Sequence, residues 1–364
     1  MSILYDEGQQ AIASESRRVL DARVDKARQL SLLEQAGSYD ESFWRTAVEQ
    51  GWTALAIPEA YGGLGLGLVE LGIVAQAIGA TLAGAPFLTA NDALAQALLH
   101  GDNEALRARW LPRIAAGETI AAVAFAEGNN ALPSRPTARL TADGLSGVKP
   151  GVTGAAHAEV ALVWALADGE PALVLAELAR VGREAISGFD NSRGNADLAF
   201  SASSGTVIAS GPAATGLARE TLARMAVVTA HEQVGGAEAL LHIARDYAVT
   251  RKAFGQLIGA FQSIKHRIAE LYGLVEIARA SAIHAASREG QGDFLKAAAA
   301  ARLSATEAYD TAARDTIQIH GGIGVTWETG LHLHMRRARS LAIEAGSGLF
   351  WEDVLAQELS GVAA

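Results

Sequence analysis

The amino-acid sequence predicts an α+β multidomain protein, with an N-terminal all-α domain over residues 1–120, a middle β domain over 121–212 and a C-terminal four-helix bundle over 213–364. Three observations lead there. Apolar residues recur at three- and four-residue intervals at both ends of the chain, the spacing changes to alternation in between, and strands do not alternate with helices. The last point disfavours a doubly wound nucleotide-binding fold. A length of 364 residues also exceeds what one hydrophobic core usually supports, so more than one packed unit is expected.

In the first region Leu20, Leu30, Leu32 and Leu33 carry helical spacing, and a run from Val69 to Leu99 continues it. Pro58 and Tyr61-Gly62-Gly63-Leu64-Gly65 interrupt it with a loop, because closely spaced glycines permit positive φ angles. From about Ala121 the period shortens: Val160, Leu162 and Trp164 alternate, and the turn signals Asp143-Gly144 and Asp168-Gly169 mark hairpins. The uncharged stretch Leu198 to Ala218 has the length of a membrane span, but its Ser, Gly and Ala content and Pro212 read instead as a strand end and a linker. The β-rich region closes near Ser210-Gly211-Pro212, and helical patterns then run to the end. In the helix beginning near Phe261 the stripe is Ile264, Ile268, Leu271, Tyr272 and Val275.

A formal net charge of -10 argues against nucleic acid or an anionic membrane as partner, since both require concentrated Lys and Arg to displace counterions. A phosphate-bearing ligand held by a few local arginines remains compatible. The chain has no cysteine, which excludes disulfides, thiolate nucleophiles, iron–sulfur clusters and Cys-type zinc sites, so redox chemistry would require a bound cofactor. The first residues, Met1 to Glu7, contain no basic region followed by an apolar stretch; a cytoplasmic protein without membrane insertion is expected. His320, His332 and His334 are close in sequence, but no carboxylate or Cys completes a ligand set and no metal site is expected. Gly63-Leu-Gly65-Leu-Gly67 and Gly321-Gly322-Ile-Gly324 fit neither the dinucleotide fingerprint nor a Walker loop.

Four C-terminal motifs stand in one order: Arg251-Lys-Ala-Phe254-Gly-Gln256, Phe261-Gln262-Ser-Ile-Lys-His266, Gln318-Ile-His-Gly321-Gly322-Ile-Gly324 and Arg336-Arg337-Ala338. Together with Ile57-Pro-Glu-Ala-Tyr-Gly-Gly-Leu-Gly65 and Trp110-Leu-Pro112, they resemble the acyl-CoA dehydrogenases over nearly the whole chain. The resemblance implies FAD bound between protomers, an acyl-CoA substrate oxidised at its α and β carbons, an electron-transfer flavoprotein as acceptor, and a homo- or hetero-oligomer, dimer or tetramer. Arg251, Phe254, Gln262, Gln318 and Gly322 match positions that reach the pyrophosphate and adenosine of a neighbour's FAD. A guanidinium binds phosphate oxygens bidentately, a carboxamide offers donor and acceptor to a ribose or adenine edge, and glycine admits close backbone approach. The bland reading of each residue alone is a helix-end cap, a core aromatic or a solvated amide.

The family's chemistry also needs a placed general base and donors to the thioester oxygen. Aligning Arg336-Arg337-Ala338 and Gly346-Ser347 with the family pattern puts Ala345 at the usual Glu, and Met225 at the alternative position on the helix before Arg251. Glu344, one residue away, and Glu232, two turns from Met225, are the substitute carboxylates. The Ala345 N–H would still serve as a donor. On the flavin-ring side, Ala126-Glu-Gly-Asn-Asn130 replaces a Ser- and Gly-containing segment; Lys149-Pro-Gly151-Val-Thr153 keeps Thr153, expected at flavin N5, but has Gly151 where the family has a ring-shielding Trp. Ser347 stands at the family's Thr in the cofactor region. Residues given to a neighbour's FAD are kept while those serving the chain's own flavin are eroded, which points to a hetero-oligomer of the kind some bacterial members form. A self-sufficient enzyme using Glu344 and a scaffold that has lost FAD are the two alternatives.

Overall fold

The structure is a computed structural model that describes residues 5–84 and 87–360. Residues 1–4, which carry most of the sequence read for a leader, lie outside the described residues. The fold class is the predicted one: N-terminal helices, a middle β-sheet and C-terminal helices. By compactness the described residues divide into two units, one of residues 25–71, 84 and 87–225, the other of residues 5–24, 72–83 and 226–360.

The first unit combines helices α2 (Lys26–Leu33), α3 (Glu41–Glu49), α5 (Phe87–His100) and α6 (Glu104–Ala115) with an eight-stranded sheet; α1 (Glu7–Arg23) belongs to the other unit, and α4 (Leu68–Thr81) is shared. The strands are β1 (Ala121–Ala124), β2 (Arg139–Thr141), β3 (Gly144–Val152), β4 (Val160–Ala167), β5 (Glu170–Glu177), β6 (Gly182–Ala185), β7 (Ala196–Ser203) and β8 (Gly205–Ser210). Their order is β6-β7-β3-β2-β4-β5-β8, with β1 pairing parallel to β4. Asp168 (φ 51) and Gly169 (φ 85) form the two-residue turn between β4 and β5, the left-handed pair that an Asp-Gly hairpin requires.

Every residue of β4 is buried, so the alternation of Val160, Leu162 and Trp164 does not separate core from solvent. Leu162, Trp164, Leu173 and Leu175 pack with Leu94, Trp110 and Leu111 of the helices, whereas Ala161, Val163, Ala165 and Val174 pack with Leu145, Leu198 and Phe200 on the other face. Leu198 to Ala218, read as a strand end and linker, is instead β7, β8 and the first turns of α7 (Gly211–Ala248). Gly211 at φ 62 makes the break and Pro212 occupies the first helical turn, where its missing N–H costs nothing. Among the described residues no helix is long and apolar enough to cross a membrane.

The second unit holds the rest of α7, the hairpin β9 (Lys252–Ala253) and β10 (Gln256–Leu257), α8 (Gln262–Ser287), α9 (Phe294–His320), α10 (Leu331–Leu341) and α11 (Gly348–Ser360). The short α10 is additional to the four helices expected. Alanines line α8 and α9, among them Ala278, Ala282, Ala298, Ala301, Ala305 and Ala312, all fully buried, and their small side chains let the two helices pack closely. Residues of α4 and α7 approach more closely still: a Cβ at Gly79 would fall 1.8 Å from the Glu232 carbonyl oxygen, and one at Gly235 1.9 Å from that of Gln76. In α8, Leu271 and Val275 are buried but Tyr272 is 60% exposed, contrary to the expected stripe. Adjacent positions lie about 100° apart on a helix, so Leu271 takes the core and Tyr272 is turned out of it.

Two buried histidines stand in this unit. His231 Nδ1 lies 2.9 Å from the Val227 carbonyl and His334 Nδ1 lies 2.9 Å from the Tyr309 hydroxyl. Burial pushes His231 down to about 4, and burial with the nearby Arg337 charge pushes His334 down to about 3. The folded chain therefore holds both neutral while the unfolded chain protonates them near 6.5. Stability from this source is complete above that pH and declines on acidification by about 1.4 kcal/mol per pH unit per histidine, until the folded values are reached. Melting temperatures should be level from pH 8 to 7 and fall below 6.5, with a flatter acid limb in a His231→Gln, His334→Gln variant; an unchanged slope in that variant would remove the histidines from the account.

Candidate active site and cofactor surface

Two sequence-distant segments of the second unit, residues 244–264 and the end of α9, meet in one small apolar cluster of Ala244, Ala248, Ile258 and Ile319, rimmed by Tyr247, Ala253, Phe261 and Ile264. Arg251 follows the end of α7; its N–H donates to the Tyr247 carbonyl at 2.8 Å and its carbonyl accepts from Ile258 N–H at 2.9 Å, which leaves the side chain exposed. The β9–β10 hairpin turns on Phe254 (φ 51) and Gly255 (φ 82). Phe254 is 96% exposed and in a left-handed conformation that a bulky residue adopts at a cost, so core packing does not account for it. Its ring meets Phe261 edge-on, 6.2 Å between centroids. Gln262 opens α8 and is exposed, with no side chain capping the helix start.

Gln318, also exposed, lies in the last turn of α9, which Gly321 (φ 63) terminates. A Cβ at Gly322 would meet nothing within 4 Å, so the backbone there lies open to a ligand. His320 stacks on Tyr247 at 4.0 Å with the rings 18° from parallel, which joins the α9 end to the segment bearing Arg251. Arg251, Phe254, Gln262, Gln318 and Gly322 are all exposed and each lies within a few residues in sequence of a member of this cluster. A cation, an aromatic face, two carboxamides and open backbone suit a dinucleotide's phosphates, ring and ribose.

The loop between α10 and α11 carries Glu344, Ala345 and Ser347, all half-buried. Ala345 has φ 54, and its carbonyl accepts from Trp351 Nε1 at 2.9 Å. The Glu344 carbonyl accepts from Arg302 Nη2 at 2.9 Å. Ser347 begins α11: its Oγ accepts from Phe350 N–H at 3.4 Å and its carbonyl from Trp351 N–H at 3.1 Å. Glu232 is held by Arg337, whose Nη1 donates to Oε1 at 2.8 Å with both side chains almost completely buried. Arg337 also donates to the Ala83 and Leu82 carbonyls. Of the three histidines weighed for a metal, His334 bonds to Tyr309, His332 meets Trp327 edge-on and His320 stacks on Tyr247.

In the first unit Thr153 is the first residue after β3, in a turn rather than in the strand, and is half-buried. Gly151 (φ 61) donates its N–H to Asp197 Oδ1 at 2.7 Å, and the space a Cβ would take is open. Sequence reasoning assigned no role to Lys149 and Glu127, which form an ion pair with Lys149 buried and Glu127 half-buried: Lys149 Nζ donates to Glu127 Oε1 at 2.7 Å and to the Phe125 carbonyl at 3.2 Å. Burial pulls the Lys149 ammonium below its usual range, opposed by Glu127. Burial works against ionisation of Glu127, but bonds from Lys149 and the Thr137 N–H outweigh it and hold the carboxyl low. The pair ties the segment after β1 to β3, the two segments aligned with the family's flavin-ring residues. Arg302 was also missed; its signal is a lone cation between Ala298 and Ala305 on the buried face of α9.

The acyl-CoA dehydrogenase N-terminal domain matches residues 6–118 and the C-terminal domain of that family matches residues 215–359. Acyl-CoA dehydrogenase IpdE2 of Mycobacterium tuberculosis is 34% identical over 311 residues, spanning 84% of this chain and 82% of that protein. The chain belongs to the acyl-CoA dehydrogenase family. Acyl-CoA dehydrogenase IpdE2 of Mycolicibacterium smegmatis is 30% identical, over 85% of each chain. Members of the family are oxidoreductases acting on the CH–CH bond of acyl-CoA thioesters. Among solved structures, the ChsE4-ChsE5 complex from M. tuberculosis superposes with a TM-score of 0.89 at 25% identity over the whole of both chains. The Tcur3481-Tcur3483 steroid acyl-CoA dehydrogenase variant gives 0.87 at 26% identity over 98% of each. A glutaryl-CoA dehydrogenase of M. smegmatis in complex with FADH2 shares the fold, with a TM-score of 0.88 at 19% identity over 99% of this chain and 96% of that one.

Proposed function

We propose that this acyl-CoA dehydrogenase family chain is one subunit of a hetero-oligomer, in which Arg251, Phe254, Gln262, Gln318 and Gly322 complete the FAD site of a partner that carries the base. The observation that supports this reading is Phe254, an aromatic 96% exposed in a left-handed conformation, beside exposed Arg251, Gln262, Gln318 and Gly322 whose chain neighbours share one apolar cluster. When bound, FAD supplies the hydride acceptor for acyl-CoA oxidation. Arg251 would bind the pyrophosphate, the two glutamines would take the ribose or adenine edge, and Phe254 would stack on the adenine. Thr153 would face the flavin and Ser347 the cofactor region, each more weakly supported, since Ser347 already caps α11. An electron-transfer flavoprotein is the proposed onward acceptor.

The chain's own base is missing in this reading. Ala345 and Met225 have no carboxylate, Glu232 is engaged with Arg337, and Glu344 would have to move along a loop whose carbonyls are bonded at residues 344 and 345. Two structural relatives are named as pairs of chains, which supports the heteromeric reading.

Co-expression with the product of a neighbouring gene, followed by FAD-to-chain stoichiometry, should yield a mixed complex with fewer FAD molecules than chains. A homodimer purified alone that oxidises an acyl-CoA with an artificial electron acceptor would overturn the proposal. Within the complex, Glu344→Gln should leave turnover within about twofold; a loss of about a hundredfold, the low end for a general base, would instead make Glu344 the base.

A further inference from the structure

The carbonyls of the loop after α10 are engaged by side chains, whereas one of its amides is not. Arg302, in the middle of α9 and 1% exposed, forms no ion pair among the described residues. Its Nη2 donates to the carbonyls of Leu341, of Glu344 at 2.9 Å and of Gly346 at 3.5 Å. Its Nη1 donates to Thr306 Oγ1 and to Gln233 Oε1 at 2.8 Å, which ties the loop to α9 and α7. From another direction Trp351, fully buried, donates its Nε1 to the intervening Ala345 carbonyl at 2.9 Å. Three consecutive carbonyls, those of 344, 345 and 346, are therefore held, and Ala345 is kept at φ 54. Its own N–H meets no acceptor among the described residues.

Burial disfavours the Arg302 cation and the Glu344 charge offsets that only in part, whereas an apolar side chain of similar volume would fill the space without the penalty. What only the guanidinium provides is a planar fork of donors that reaches the last turn of a helix and both neighbours of one residue. Leu341 lies at the C-terminal end of α10, where a cation is favoured by the helix dipole. The arrangement fits a device that preorganises one backbone donor.

We propose that Arg302 is a positioning residue: it locks the 344–346 loop so that the Ala345 N–H stands as a fixed donor to an acyl-thioester carbonyl. On this view the chain keeps a thioester-binding half-site of its own from which the base has been removed. The inference rests on the proposed function in one respect, that the loop occupies the family's substrate region.

The test compares two probes on the purified full chain by titration calorimetry: butyryl-CoA, and S-butyl-CoA, a thioether with no carbonyl. The wild-type chain should bind butyryl-CoA about tenfold more tightly, the ratio that one hydrogen bond of ordinary strength provides. In Arg302→Met the ratio should fall towards one while S-butyl-CoA affinity is kept; Arg302→Lys, which retains a cation with fewer directed donors, should give an intermediate ratio. Trp351→Phe, which frees the Ala345 carbonyl from the other side, should also lower it. A merely structural role would weaken both ligands alike, and that outcome overturns the proposal, as does a ratio of one in the wild-type chain or an undiminished ratio in Arg302→Met. FAD stoichiometry of the mixed complex containing Arg302→Met distinguishes the two proposals. Full FAD with an unchanged ratio overturns only the role of Arg302, and a wild-type complex without FAD overturns the proposed function.

Discussion

Replacing Arg251 with alanine in the mixed complex is expected to weaken FAD binding by about 10- to 100-fold, without lowering the melting temperature of the isolated chain. The magnitude follows from losing charge-assisted hydrogen bonds to a phosphate, worth about 1.5–3 kcal/mol. The absence of a stability effect follows from the structure. Arg251 is exposed, and the bonds that anchor its segment use its backbone N–H and carbonyl, which alanine keeps. FAD released from the complex during dialysis, quantified by absorbance, checks the first part, and a melt checks the second. Undiminished FAD retention by Arg251→Ala combined with Gln318→Ala would remove this surface from the cofactor site.

Replacing Glu232 with alanine is expected to have the opposite profile, destabilising the chain by about 3–5 kcal/mol, because it strands the Arg337 guanidinium in the interior. Both side chains are almost completely buried, and Arg337 is held at the same time by the carbonyls of Ala83 and Leu82. Removing both charges, as Glu232→Met with Arg337→Leu, should recover much of the loss, since an apolar pair of similar volume avoids the desolvation penalty. Denaturant unfolding of the single and double variants measures this. A Glu232→Ala chain as stable as wild type would return Glu232 to the list of available carboxylates.

These two expectations concern one residue taken from motif resemblance and one whose partner only the tertiary structure reveals. Arg251, Phe254, Gln262, Gln318 and Gly322 were matched as a set through the resemblance of their motifs to the family, and the structure leaves all five exposed, near the ring contacts of Tyr247 with His320 and of Phe254 with Phe261. Their exposure was not legible, because a phenylalanine in a helical region reads as core until the hairpin turn at φ 51 is seen. Glu232 is the converse case. Counting turns made it a possible base, but the residue that engages it stands 105 positions later.

Lys149 and Glu127 teach the same lesson on a shorter scale. Both lay within quoted motifs, yet the ion pair between them depends on the segment after β1 passing beside β3, which alternating hydrophobicity does not specify. Nor does it distinguish a strand with one solvated face from β4, which the helices cover on one side and the rest of the sheet on the other.

The sequence by itself determined the order of helical, β and helical regions and the family, because periodicity, turn residues and motifs are local properties of the chain. The tertiary structure alone decided which polar side chains are spent on the fold. Arg302 is committed to the loop at Ala345, Glu232 to Arg337, and Lys149 to Glu127, while the residues matched to a neighbour's FAD are left exposed. The reason is physical: a buried charge must find its partner wherever the packing brings one, at any distance along the chain, and that distance is not written in the spacing of residues.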